Sequence, residues 1–209
     1  MLYVSFFDAV RFANWMNNGQ GSGDTETGSY LLLGGTATPG NGTSFTRTNT
    51  NQTIFVASEN EWYKAAYYDP STASYFDYPA RSNTVPTCST ATAAPNRANC
   101  NFQVGNLTVG GTYIGSASPY GTFDQGGNVQ EWNDTIINSS SRGFRGGSFG
   151  HVNSTLAASA RNWMGPSTDT GYVGFRLAMI PGGYVPEPST GLLVIAGLVG
   201  LGVHHRIRA

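Results

Sequence analysis

Near the amino terminus, Phe6, Ala9, Val10, Ala13 and Met16 recur at helical spacing, with Arg11 and Asn14 off the stripe. Ser5, three residues before Asp8, supplies a capping box, and Asn17-Asn18-Gly19 supplies a stop. The turn-rich segment Gly19–Gly42 is broken by the apolar run Tyr30–Leu33, which reads as a strand. The threonine-rich segment Thr43–Thr53 reads as an exposed loop or hairpin. Thr53–Ala57 gathers branched and aromatic side chains and predicts a second strand. A second capping box, Ser58 with Glu61, then opens a helix with Trp62, Ala65 and Ala66 on its inner face. It reaches about Tyr68 before Asp69-Pro70 stops it.

From Pro70 to Asn101 the periodicity fades, leaving a tyrosine cluster (Tyr67, Tyr68, Tyr75 and Tyr78) that either folds onto the core or presents an adhesive surface. Gln103–Gly105 and Thr112–Ile114 look like short strands. Beyond them the chain alternates glycine turns with aromatics and single charges: Gly126–Trp132 (GGNVQEW), Arg142–Phe149 (RGFRGGSF) and Gly171–Ala178 (GYVGFRLA). The composition changes after Pro181-Gly-Gly183. Val185-Pro-Glu-Pro188 precedes an apolar run, Leu192–Val203, and the basic end His204–Arg208.

A chain of 209 residues suffices for one sizeable core. Eleven Lys plus Arg against twelve Asp plus Glu leave a net charge of -1, which removes nucleic acid from the candidate partners. Twenty-eight glycines argue for a loop-rich body, and 12% aromatics argue against disorder. The two cysteines, Cys88 and Cys100, lack the spacing and companions of a zinc site; they are either bonded or two free thiols.

The three glycine–aromatic phrases, with Tyr3–Trp15 and Val56–Ala66, resemble the blocks of the formylglycine-generating (sulfatase-modifying factor) family. The resemblance implies an α+β fold: irregular, loop-rich and C-type-lectin-like, with two short helices and small antiparallel sheets over residues 1–180. Residues 181–191 form a linker and 192–209 a hydrophobic helix with a basic tail, which together resemble the PEP-CTERM sorting signal of Gram-negative bacteria. That tail implies export, membrane association during sorting and recognition by an exosortase-type enzyme. Its apolar run is short of the roughly 20 residues that span a bilayer. The family pattern carries strand sequence ahead of the first helix, and export needs an amino-terminal signal; both lead us to expect an upstream piece.

The resemblance also directs attention to metals. Family members bind structural calcium near the Gly-Gly-Asn-x-x-Glu-Trp block. Asn128 and Glu131 are therefore candidate oxygen ligands, with Asn99, Asn101 and Asp124 as further candidates. The alternative for Asn128 and Glu131 is a buried hydrogen-bond network that fixes the turn. The family's catalyst is a copper-bound cysteine pair just before an Ala-Ala-Arg. The matching run here, His151–Arg161, has Asn153 and Ala158 nearest those positions, and neither is a thiolate. No copper is expected, and no formylglycine-generating activity.

Family branches with iron hold it by several histidines; this chain has His151 in its body and His204 and His205 in its tail, so no iron is expected. Ser148 and Ser154 have no base identifiable from sequence. Arg145, Arg161 and Arg176 read as structural, with Glu131 as a partner for Arg176. The function expected is a catalytically silent, lectin-like domain that holds a glycan or protein at the cell envelope or extracellular matrix. The alternative is an unrecognised family enzyme acting on an envelope substrate.

Overall fold

The computed structural model of the chain describes residues 2–32, 54–138 and 140–179. Leu33, the segment Thr43–Thr53, and the linker, apolar run and basic tail from residue 181 lie outside the described residues.

Helix α1 (Phe6–Asn17) starts at Ser5, whose hydroxyl accepts from the Asp8 amide while the Ser5 amide donates back to the Asp8 carboxylate at 2.9 Å. Its apolar face buries Phe6, Phe7, Ala9, Val10 and Ala13 in one cluster with Phe55, Val56, Trp132, Phe144 and Val173. Each large side chain buried this way contributes roughly 1.5–3 kcal/mol. Arg142, wholly buried, lays its guanidinium 4.5 Å from the centre of the Phe6 ring, and burial lowers its pKa to about 10.

Asn14 departs from the predicted stripe because it too is wholly buried. Its amide donates to the carbonyls of Thr25 and Tyr30, and its oxygen accepts from the Tyr30 amide at 3.0 Å. One side chain thus supplies the partners that a strand neighbour would give. The described part of the expected Tyr30–Leu33 strand is accordingly irregular, not β.

Strand β1 (Ile54–Val56) leads into α2 (Glu59–Tyr67), which carries the second capping box, Ser58 with Glu61. The chain then turns back as β2 (Tyr68–Asp69) and β3 (Ser74–Tyr75). Strands β4 (Thr87–Cys88) and β5 (Arg97–Ala98) pair in parallel, and a disulfide joins Cys88 to Cys100 beside them. The strands expected at Gln103–Gly105 and Thr112–Ile114 are turns instead. The Gln103 amide donates to the Cys100 carbonyl and the Thr112 amide to the Val109 carbonyl, while Val104 and Ile114 face solvent. Branched side chains there have no sheet to pack on.

The central sheet has the order β8 (Asn162–Met164), β7 (Ser141–Arg145), β6 (Gln130–Ile137), β9 (Val173–Phe175). Only the β6–β9 pairing in it is parallel, and a register shift interrupts β6–β7 between Trp132 and Ile136. Strand β10 (Leu177–Met179) returns to pair with β1. The result is the expected mixed fold, with two helices and small sheets among the described residues.

Candidate functional site

Side chains alternate across a strand, so adjacent residues of β6 serve opposite sides. Trp132 enters the α1 core, and its indole donates to the Val4 carbonyl at 3.0 Å. Glu131 faces the other way, where its carboxylate accepts from Trp62 Nε1 at 2.7 Å and from Arg176 at 2.9 Å on each oxygen. Arg176 also donates to the Phe123 carbonyl. The Glu131 charge holds the Arg176 guanidinium above its ordinary pKa. The partner expected for Arg176 is thus the one found, in the bidentate geometry that suits a buried pair.

A second carboxylate hub lies alongside. Glu59, at the start of α2, accepts from Arg145 Nε and Arg161 Nε, each at 2.8 Å, one on each oxygen. Arg145 spends further donors on the carbonyls of Ala158 and Ala160 and lies 5.1 Å from the centre of the Tyr63 ring. Sequence reasoning named the arginines and missed Glu59, which looks like an ordinary first-turn acid on a helix.

Asp124, Asn128 and Glu131 line one open cleft of about 460 Å³, together with Gly111, Phe175 and Arg176. Asp124 accepts from the Gly111 amide at 2.6 Å, and burial raises its pKa. Asn128 is tied to Thr108 in both directions: its oxygen accepts the Thr108 amide at 3.0 Å, and its nitrogen donates to the Thr108 carbonyl. The Asn99 amide nitrogen donates to Asn106 and Asn128, but its buried oxygen accepts no hydrogen bond. Gly127 makes this loop possible; its φ is +82°, and a Cβ there would stand 2.4 Å from the Asn99 carbonyl oxygen. Asn101 sits apart, exposed, with its amide donating to the His151 carbonyl.

As calcium ligands the five residues divide. Glu131 is neutralised by Arg176 and has both oxygens engaged, so it does not suit a cation. Asn99 keeps a buried side-chain oxygen that accepts no hydrogen bond. Among the described residues, no cluster of three or more His, Cys, Asp or Glu is placed to hold a metal.

In the segment matching the copper site, the Asn153 amide donates to the Pro86 carbonyl at 3.0 Å, and Ala158 packs against the Trp62 cluster. The structure does find a base for Ser148: His151 Nδ1 lies 2.6 Å from its hydroxyl oxygen. Ser148 has no exposed surface, so that hydroxyl cannot meet a substrate. Burial also lowers the His151 pKa. The pair orients the imidazole. In the tyrosine cluster, Tyr67 is core, while Tyr63, Tyr75 and Tyr68 stack outward in a row with centroids 5.3 and 4.9 Å apart.

A family model for the sulfatase-modifying factor enzyme 1-like domain matches residues 1–180. Similar solved structures include Treponema denticola variable protein 1, with TM-score 0.59 and 21% identity over 87% of this chain and 71% of that one. CarF gives 0.56 and 19%, covering 86% and 67% respectively. PvdO from Pseudomonas aeruginosa gives 0.51 and 17%, covering 85% of this chain and 60% of its own. These likenesses establish the fold. No curated protein sequence matches the chain.

Proposed function

The chain belongs to the sulfatase-modifying factor enzyme 1-like domain family, and from that premise we propose that it is a catalytically silent, lectin-like binding domain. It holds a glycan or protein at the cell envelope or extracellular matrix of a Gram-negative bacterium. The observation that carries this reading is the state of the segment where the family resemblance puts catalysis. Asn153 and Ala158 stand there, and both serve packing and backbone contacts. Thiolate copper chemistry has no ligands at those positions.

The tail supplies the location. Its Pro-Glu-Pro motif, apolar run and basic end support membrane association during sorting of an exported protein and handling by an exosortase-type enzyme. Calcium has a structural role in this reading, bound at the Asn99 side-chain oxygen and not through Glu131 or Asn128, whose oxygens are already engaged. If so, adding calcium to metal-depleted protein raises its melting temperature, and Asn99→Leu abolishes the rise. An unchanged melting temperature removes the ion from the account.

One observation favours an enzyme acting on an envelope substrate: Asp124 is a carboxyl with a raised pKa in an open cleft, the usual setting of a general acid. Co-sedimentation of the purified full chain with washed Gram-negative envelopes separates the two readings. The binding domain pellets with the envelopes and leaves their composition unchanged over hours. Protein that stays in the supernatant refutes binding, and released envelope fragments that disappear with Asp124→Asn establish the enzyme.

A further inference from the structure

Three segments meet at Gly150 to form an aromatic surface whose rings carry no formal charge. Phe102 is 57% exposed and Tyr172 38%, and the buried Phe149 ring underlies both, with centroids at 6.2 and 5.4 Å. The His151 ring lies 5.6 Å from Tyr172. A Cβ on Gly150 would stand 2.6 Å from Tyr172 Cε1 and 2.9 Å from Phe102 Cζ, so a bare Cα between the two rings is what lets them approach. Residues 99–123 and 146–160 contain no Asp, Glu, Lys or Arg, and the Tyr172 segment adds the acidic Asp169, three residues before the ring.

The chain holds this arrangement against its own backbone preference. Asn101 and Phe102 are consecutive non-glycine residues with φ of +51° and +56°, a conformation that a bulky side chain rarely adopts. Two 2.7 Å hydrogen bonds keep them there, from the Asn101 amide to the His151 carbonyl and from the Phe102 amide to the Phe149 carbonyl. The neighbouring Cys100 is anchored by its disulfide. An aromatic ring forced outward by a strained, cross-linked loop is the opposite of what burial favours.

Resting on the binding-domain reading above, we infer that Phe102 and Tyr172 form a stacking platform for an uncharged sugar ring. The ring faces supply flat apolar area for the C–H face of a pyranose. Around them, His151 Nε2, the Tyr172 hydroxyl and the Asn101 side-chain amide enter no hydrogen bond with the described residues and remain available to sugar hydroxyls. The Ser148 contact at His151 Nδ1 fixes the imidazole that presents Nε2. With no Lys or Arg in residues 99–123 and 146–160 and Asp169 near Tyr172, acidic polysaccharide is disfavoured. A protein partner needs more area: two such rings expose on the order of 200 Å², against roughly 800 Å² per side of a stable protein interface.

Affinity electrophoresis of the full chain through gels containing dextran, laminarin or galactomannan tests this, with alginate as the acidic control. Phe102→Gly is the decisive variant, because glycine accepts the positive φ and relieves strain while deleting the ring; loss of binding then cannot be loss of fold. The expected result is retardation by at least one neutral glycan and none by alginate. Phe102→Gly and Tyr172→Ala each weaken it roughly tenfold. Tyr75→Ala, in the other tyrosine row, leaves it unchanged. Equal retardation of wild type and Phe102→Gly overturns the platform while glycan binding stands. Retardation by none of the neutral glycans, in protein that still pellets with envelopes, overturns the sugar as ligand and points to a protein partner.

Discussion

Replacing Glu59 with alanine strips one carboxylate from two arginines whose surroundings differ. Arg145 and Glu59 are each 9% exposed in their side chains, whereas Arg161 is 44% exposed. An exposed pair contributes about 0–1 kcal/mol, so the Arg161 half of the hub is minor. Removing one member of a buried pair strands the other and costs about 3–5 kcal/mol. Arg145 retains the Ala158 and Ala160 carbonyls and the Tyr63 ring, which places the cost near the lower end of that range. At about 2–4 °C per kcal/mol for a chain of this size, Glu59→Ala lowers the melting temperature by roughly 6–16 °C.

Urea unfolding followed by fluorescence of the buried Trp62 and Trp132 measures the loss directly. Arg161→Ala is the internal control and loses no more than about 1 kcal/mol. The stranded-charge argument makes a sharper demand: Glu59→Leu combined with Arg145→Met recovers most of the stability, because neither charge is then left alone. A Glu59→Ala loss below about 1 kcal/mol refutes the reasoning about the buried pair. So does a double variant no more stable than the single one, which would make the hub's value geometric.

Reducing the Cys88–Cys100 disulfide, which closes a loop of sequence separation 12, costs about 3 kcal/mol in the chain-entropy account; thermal melts with and without reductant measure it, and an unchanged melt shows that the loop is already held by its contacts. Trp62→Phe keeps most of the apolar volume but removes the indole donor to Glu131, at about 1.5–3 kcal/mol for a hydrogen bond to a charged group; a loss below about 0.5 kcal/mol means that Arg176 alone satisfies the carboxylate. For Asp124, burial raises the folded-state pKa above 3.8, so the native state binds more protons and stability falls as pH rises through that window. Asp124→Asn therefore raises the melting temperature at pH 7 relative to wild type and loses its advantage below about pH 3.8; a lower melting temperature at pH 7 shows that the ionised form is needed opposite Arg176.

Both helices were legible because their signals are local. Each capping box lies within four residues, and each was found where Ser5 and Ser58 place it. Glu131 was a candidate partner for Arg176 because a buried arginine needs one, but the pairing itself came from the structure. The burial of Asn14 was not legible, because it depends on a loop 11 to 16 residues away needing backbone partners. Glu59 was hidden for the same kind of reason: its partners are 86 and 102 residues distant. Of the candidate ligands, Asp124, Asn128 and Glu131 do share a cleft, yet the sequence could not reveal that Arg176 had already neutralised Glu131 there. The exposed Phe102 ring ran against the rule that aromatics go inside, and only its backbone angle and neighbours identify it as special.

The same hubs also hold the segment around Asn153 and Ala158 in place. The segment that resembles the copper site is fastened through backbone groups. Arg145 holds the carbonyls of Ala158 and Ala160, the Ala158 amide donates to the Asp77 carbonyl at 2.8 Å, and Tyr67 holds the Leu156 carbonyl. Side chains of the segment add to this: Asn153 reaches a backbone carbonyl of Pro86, and Arg161 pairs with Glu59. The anchors, Arg145 with Glu59 and Tyr67 on α2, lie outside the segment they hold. The side chain of Ala158 carries none of these hydrogen bonds, so the backbone there is positioned independently of it. The core of the domain is thus kept by contacts made largely outside this segment.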